Sequence, residues 1–124
     1  MTGLDTNVLL AWLLQGQIRP DLPDGPYRIS LVVLAELVWV LDRQFKRARR
    51  ELSDTVDLLL QTSSVHFDDE TVVAQALNDF RDGDADFADF LLLRDNERAG
   101  CSTTLTLDKK AAKHPGFTLV PRRS

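Results

Sequence analysis

Apolar positions fall in blocks along the chain, separated by polar, glycine-rich or proline-rich punctuation. Gly3-Leu4-Asp5 reads as the end of a very short first strand. Thr6-Asn7 then opens an apolar helix through Val8, Leu9, Leu10, Trp12, Leu13 and Leu14, which Gly16 can end. Arg19 to Tyr27 carries Pro20, Pro23, Gly25 and Pro26 and predicts a loop, followed by a short extended piece, Tyr27 to Ile29, with Ser30 as a helix N-cap. Leu31 to Leu41 predicts a helix buried almost all round. A polar, Arg-rich turn and a second helix of about four turns, ending near Leu60, complete a helical hairpin. Val65-His66-Phe67 reads as a strand, Asp68 or Asp69 as a cap for a helix from Glu70 to Phe80, and Gly83 as its stop. Asp86 starts a further helix stopped by Gly100. Thr103 to Leu107 alternates like a buried strand, Asp108 to Lys113 is a helical turn, and Phe117 to Val120 is a last strand. Strands separated by helices imply a parallel sheet, hence an α/β fold with a large helical share.

Composition narrows the function classes. The chain has 124 residues, 44% hydrophobic and 27% charged, the profile of one globular domain rather than of a disordered or fibrous protein. Cys101 is the only cysteine, so an intramolecular disulfide is impossible and a cysteine-based zinc site lacks partners. The early apolar run Val8 to Leu14 is too short to span a bilayer and follows Asp5 rather than a basic segment, so we expect a cytoplasmic protein without a membrane anchor. The net charge of −4 excludes a strongly basic nucleic-acid-binding domain. Fifteen of the acids are Asp and four are Glu. Aspartate is a poor helix-interior residue that favours turns, caps and cation sites, so the place of each Asp carries the functional information.

Four carboxylates stand singly in apolar segments or at their edges. Glu36 is the only polar side chain between Leu31 and Leu41. In so apolar a helix an ionised carboxylate costs several kcal/mol unless it is paired or bound to a cation, a buried salt bridge to an Arg being the plainer account. Asp5 lies at the carboxyl end of the first strand, the edge where parallel α/β sheets bind ligands. Helix capping alone explains it less well, with Thr6 and Asn7 beside it. In Asp82-Gly-Asp84-Ala-Asp86-Phe-Ala-Asp89, an EF-hand loop fails because Phe87 stands where Gly is needed and Leu93 where the bidentate Glu is needed. Asp86 and Asp89, three apart, share a helix face; capping explains Asp86 well and Asp89 poorly. Asp108 closes the apolar strand Thr104 to Leu107, again as a cap or a ligand. Four neighbouring carboxylates would repel by roughly 1 to 4 kcal/mol per close pair, which a divalent cation relieves, and all-oxygen ligands favour Mg2+ or Mn2+.

Leu4-Asp5-Thr6-Asn7-Val8-Leu9-Leu10, Ser30 with Glu36, Ala85-Asp86-Phe87-Ala88-Asp89 and Thr104-Leu105-Thr106-Leu107-Asp108 occur in one order over essentially the whole chain. This pattern resembles the PIN domain family, and more narrowly the VapC-type toxins of prokaryotic toxin-antitoxin pairs. The resemblance implies a single domain over 1–124 with a three-layer α/β/α fold, a short, mostly parallel central sheet and a helical hairpin. It implies a Mg2+- or Mn2+-dependent endoribonuclease with Asp5, Glu36, Asp89 and Asp108 as its acidic quartet. Asp86 would be an auxiliary ligand or cap, Thr6 the small hydroxyl that orients the first acid, and Thr106 a hydrogen-bonding support. A homodimer and a small cognate antitoxin wrapped over the hairpin are implied as partners. The chain departs from the pattern in its short first strand and in Leu107, where many relatives carry Phe or Asn.

Metal-activated water would make a nucleophilic side chain unnecessary. The sequence agrees: it has no Gly-rich phosphate loop, and its two His and one Cys form no metal or triad spacing. His66 and His114 read as surface or strand-edge residues. An RNA substrate needs cationic contacts, for which Arg43, Lys46 and Arg47, with Arg49 and Arg50, form one cluster. Lys109 and Lys110, with Lys113, Arg122 and Arg123, form another; either is alternatively a solvated face. Trp12, Trp39, Phe80, Phe87 and Phe90 read as core, although an exposed Trp39 would suit a partner surface. Two competing readings are a phospho-receiver-like module built on Asp5, Thr106 and Lys109 with Asp68 as acceptor, and a catalytically silent binding module with an acidic pocket.

Overall fold

A computed structural model describes residues 1–15 and 22–121; Gly16, Arg19, Pro20, Arg122 and Arg123 lie outside them. The chain divides into two compact units, Met1–Glu70 and Thr71 onward. Among the described residues the strand pairings are parallel, as helices alternating with strands require.

The first unit holds β1 (Thr2–Gly3), α1 (Thr6–Gln15), β2 (Tyr27–Arg28), α2 (Leu31–Arg43), α3 (Arg49–Gln61) and β3 (Val65–His66). Its three-stranded sheet has the order β1-β2-β3, with Thr2 opposite Tyr27 and Tyr27 opposite Val65. Leu4, Tyr27, Ile29, Val65 and Phe67, in or next to these strands, are buried. Across the sheet Arg28 grips Asp68 with two hydrogen bonds, one of them 2.7 Å from Nε to Oδ1, which holds the Asp68 carboxyl below its ordinary pKa.

Ser30 caps α2 as expected, its Oγ accepting from the Val33 amide at 3.1 Å. Leu34, Leu37, Val38 and Leu41 form the buried stripe at helical spacing. The opposite row is open: Val32 is 77% exposed, Trp39 53%, and Glu36 and Arg43 are exposed as well. The expectation of a helix buried all round is therefore corrected, and Trp39 is not core. α1 and α3 pack on α2 but leave this row uncovered, and an apolar sequence does not state how many neighbours a helix has. In α3, Glu51 reaches back to the Ala48 amide at 3.1 Å, while Leu52, Val56 and Leu59 make the buried stripe of the hairpin's second arm.

The second unit holds α4 (Glu70–Asp82), α5 (Phe87–Arg98), β4 (Thr104–Thr106), α6 (Lys109–Ala112) and β5 (Phe117–Leu119). Val72, Val73, Ala76, Leu77 and Phe80 of α4 and Phe87, Phe90, Leu91 and Leu93 of α5 are buried. The edge-to-face pair Phe80–Phe87, 5.6 Å between centroids, adds about 1 kcal/mol to the area they bury. Gly100 stops α5 at φ +97°: its amide bonds to Glu97 O at 3.0 Å and that of Cys101 to Asn96 O at 2.9 Å, the double closure that requires a left-handed residue. β4 pairs with β5, Thr104 opposite Phe117. The expected burial of β4 is inverted: Thr104 is buried, its Oγ1 accepting from Asn96 at 3.0 Å, whereas Leu105 is 66% exposed and Leu107 52%. Two-fold alternation identifies the two faces of a strand; the helix packed beneath decides which one is covered.

Among the described residues no helix is long and apolar enough to cross a membrane.

Candidate active site

In the first unit Asp5 sits between β1 and α1, exposed, with its Oδ1 accepting from the Thr6 amide at 2.7 Å. An N-cap side chain accepts from the second or third amide of its helix; Asp5 takes only the first, so capping does not account for it. Thr6 is 3% exposed and its Oγ1 has no hydrogen-bond partner. The backbone amide of Thr6, rather than the expected hydroxyl, orients the Asp5 carboxylate.

Glu36 lies on the open row of α2, between Val32 and Trp39. Glu36 is exposed rather than forced into the interior by its apolar run, because the apolar residues beside it on that row are themselves exposed. Among the described residues it makes no ion pair with an arginine, so the buried salt bridge is also set aside.

Three carboxylates of the second unit act on one another. Asp86 is the N-cap residue of α5 by backbone conformation, φ −69° and ψ 151°, yet its side chain makes no capping bond; its carbonyl accepts from the Asp89 amide at 3.0 Å. Asp89 lies in the first turn of α5 and is half-buried. Burial first, then the charges of Asp86 and Asp108, push its pKa above the ordinary aspartate value. Asp108 caps α6: its Oδ1 accepts from the Lys110 amide at 2.9 Å, and its own amide donates to Thr106 Oγ1 at 3.0 Å. Thr106 thus bonds to the turn that carries Asp108. Among the described residues no three His, Cys, Asp or Glu side chains are drawn together closely enough to hold a metal ion by themselves.

The basic candidates are all surface residues. Arg43, Lys46 and Arg47 are exposed at the end of α2 and the turn to α3, where Arg47 pairs with Glu51 at 3.4 Å and Arg43 with Asp42 at 3.5 Å. Lys109 and Lys110 are exposed on α6. A cleft of about 210 Å³ is lined by Asp82, Asp84, Phe90, Lys110, Lys113 and His114.

Sequence reasoning missed a buried ionic cluster beside these residues. Asp79, 6% exposed, accepts from Arg94 through both oxygens at 2.6 and 2.8 Å, and His114 Nε2 stands 3.3 Å from its Oδ1. His114, read as a surface or strand-edge residue, is instead a half-buried neighbour of Asp79, whereas His66, in β3, is exposed. The signal was present: Asp79 continues the Val72, Ala76 row of α4, an inward position for a charge.

The family model of the PIN domain matches residues 4–116. No curated protein and no solved structure matches the chain.

Proposed function

This chain belongs to the PIN domain family, and from that premise we propose that it is a metal-dependent endoribonuclease hydrolysing RNA phosphodiester bonds. PIN domains are generally nucleases that use divalent metals, and the α/β class with short parallel strands and a helical hairpin is theirs. The reading rests on the carboxylate set of the second unit: half-buried Asp89 lies near enough to Asp86 and Asp108 for burial and then their charges to raise its pKa. Donors of this kind, all oxygen and mutually repelling, fit Mg2+ or Mn2+. Asp86, Asp89 and Asp108 would each offer oxygen ligands to the cation without closing a metal site by themselves, and the family pattern assigns Asp5 and Glu36 to the same reaction. A bound divalent ion supplies a more acidic water and charge neutralisation at the phosphate. The chain's own residues do the rest. The Thr6 amide orients Asp5, Thr106 and the Lys110 amide fix Asp108, and Lys109, Lys110, Arg43, Lys46 and Arg47 contact phosphates.

Incubation of RNA with the protein and Mg2+ or Mn2+ tests this. Cleavage is expected for the wild type and a fall to background for Asp89→Asn, Asp5→Asn and Glu36→Gln; undiminished cleavage by these variants refutes it. A catalytically silent module would bind Mn2+ and turn nothing over. In the phospho-receiver alternative Asp68 is the acceptor; it is exposed and paired with Arg28, and phosphoryl transfer to it from acetyl phosphate would favour that reading.

The narrower reading is the toxin of a type II toxin-antitoxin system, VapC-like, a cytoplasmic single domain over 1–124, homodimeric, with a small antitoxin over the hairpin. It is supported by the four motifs in register and by the exposed Val32 and Trp39 on α2. A neighbouring gene for a small DNA-binding protein that copurifies with this chain and suppresses its cleavage is the expected finding.

A further inference from the structure

Asp108 is presented by a helix that cannot hold itself. α6 has four residues, Lys109–Ala112, far below the length at which an isolated helix is stable, so its place is set by its neighbours: β4 and β5, against which it packs with Ala111 buried, and what grips its ends. At its start are the bonds of Asp108 to the Lys110 amide and of the Asp108 amide to Thr106. At its end is His114, whose amide donates to Ala111 O at 3.0 Å and whose carbonyl accepts from the Phe117 amide at 3.4 Å. The imidazole leaves this turn and reaches two other helices. Its Nε2 is 3.3 Å from Asp79 Oδ1 on α4, the oxygen that also accepts from Arg94 Nη2 of α5, and its ring meets Phe90 edge-on at 5.0 Å. Phe90 is the residue after Asp89. Gly116 closes the contact from the other side: at φ +104°, a Cβ there would lie 2.9 Å from Leu93 Cδ1 and 3.1 Å from Glu97 Oε1. The turn is thereby seated on the helix that carries Asp89.

We infer that His114 is a positioning residue: through Asp79 and Phe90 it locks the α6 turn onto α4 and α5 and so sets where Asp108 stands relative to Asp89. The inference deepens the nuclease reading and rests on it for its functional consequence. His114 touches no reacting group; it acts through Asp108.

The test compares wild type, H114A and H114Q. Gln puts an amide nitrogen close to the place of the imidazole Nε2 and so keeps a polar contact with Asp79. Supporting groups of this kind change metal affinity by roughly 10- to 100-fold. H114A should weaken Mn2+ binding, measured by calorimetry without RNA, about tenfold. Its kcat should fall by a similar factor while KM for RNA stays within about twofold, and H114Q should recover most of both. In amide NMR spectra without metal or RNA, the Asp108 and Lys110 signals should move in H114A and return toward wild type in H114Q.

Unmoved Asp108 and Lys110 amides in folded H114A overturn the inference, as does an unchanged Mn2+ affinity in a wild type that does bind and cleave. Equal losses in H114A and H114Q overturn it too. Should H114A not fold, G116A and H114Q carry the test: G116A must shift the same two amides and weaken Mn2+ binding, and failure to do either refutes the inference. A wild type that neither binds Mn2+ nor cleaves RNA refutes the nuclease reading, whereas the amide shifts report on the lock alone, so the two failures are separate.

Discussion

Replacing Arg94 by Met removes one guanidinium and leaves most of the aliphatic stem in place. In the native protein Arg94 gives Asp79 two hydrogen bonds from Nε and Nη2, at 2.6 and 2.8 Å, and Nη1 lies 3.3 Å from Glu97. The Asp79 side chain is 8% exposed and that of Arg94 25%, so the carboxylate end is dry and the guanidinium end partly wet. Removing one partner of a buried pair costs about 3 to 5 kcal/mol, because the remaining charge stays desolvated without its counter-ion. The wet edge of Arg94 and the nearby His114 place this case at the lower limit, about 3 kcal/mol. With a urea slope of about 1 to 3 kcal/mol/M, the unfolding midpoint should fall by roughly 1 to 3 M. The double variant D79L/R94M removes the pair and its desolvation penalty together, and should lie within about 1 kcal/mol of wild type. Urea titrations followed by circular dichroism measure both. An R94M cost below about 1 kcal/mol, or a double variant as unstable as R94M, would refute the claim that desolvation of Asp79 dominates.

Asp89→Asn should abolish cleavage and yet raise the melting temperature at pH 7. The folded pKa of Asp89 is raised, so the native state binds its proton more tightly than the unfolded chain does. Stability is thus lost as pH rises from the ordinary aspartate value, about 3.9, through the raised native one. The advantage of D89N should vanish below that window, and a variant less stable than wild type at pH 7 contradicts the assignment. Ser30→Ala removes the oxygen that accepts from Val33 and should cost about 1 kcal/mol, with a loss under 0.3 counting against the cap. Gly100→Ala meets no atom within 4 Å but must hold φ +97°, so it should cost about 1 to 2 kcal/mol from backbone strain alone; thermal melts that match wild type would deny that strain.

Local signals reached as far as local physics does. The Ser30 cap, the Gly100 stop, the Asp108 cap and the helices on either side of them were legible because each depends on a few consecutive residues. The acidic motifs around Asp86, Asp89 and Asp108 were legible for the same reason, as segment-edge charges beside apolar runs. Glu36 was misread: an apolar run was equated with burial, but Val32 and Trp39 beside it face outward. The place of His114 is not legible in the sequence because its partners, Asp79 and Phe90, are 35 and 24 residues earlier in the chain, and no periodicity links them.

By itself, then, the sequence determined where helices and short strands begin and end and which carboxylates stand at their edges, since caps, glycine stops and hydrophobic periods act over one or two turns. The tertiary structure alone decided which face of α2 and of β4 is covered. It also decided that Asp89 feels Asp86 and Asp108, and that a buried Asp79 is paired with Arg94 and touched by His114. Burial and electrostatic coupling depend on distances between segments remote in the chain, and such distances exist only once the helices have packed.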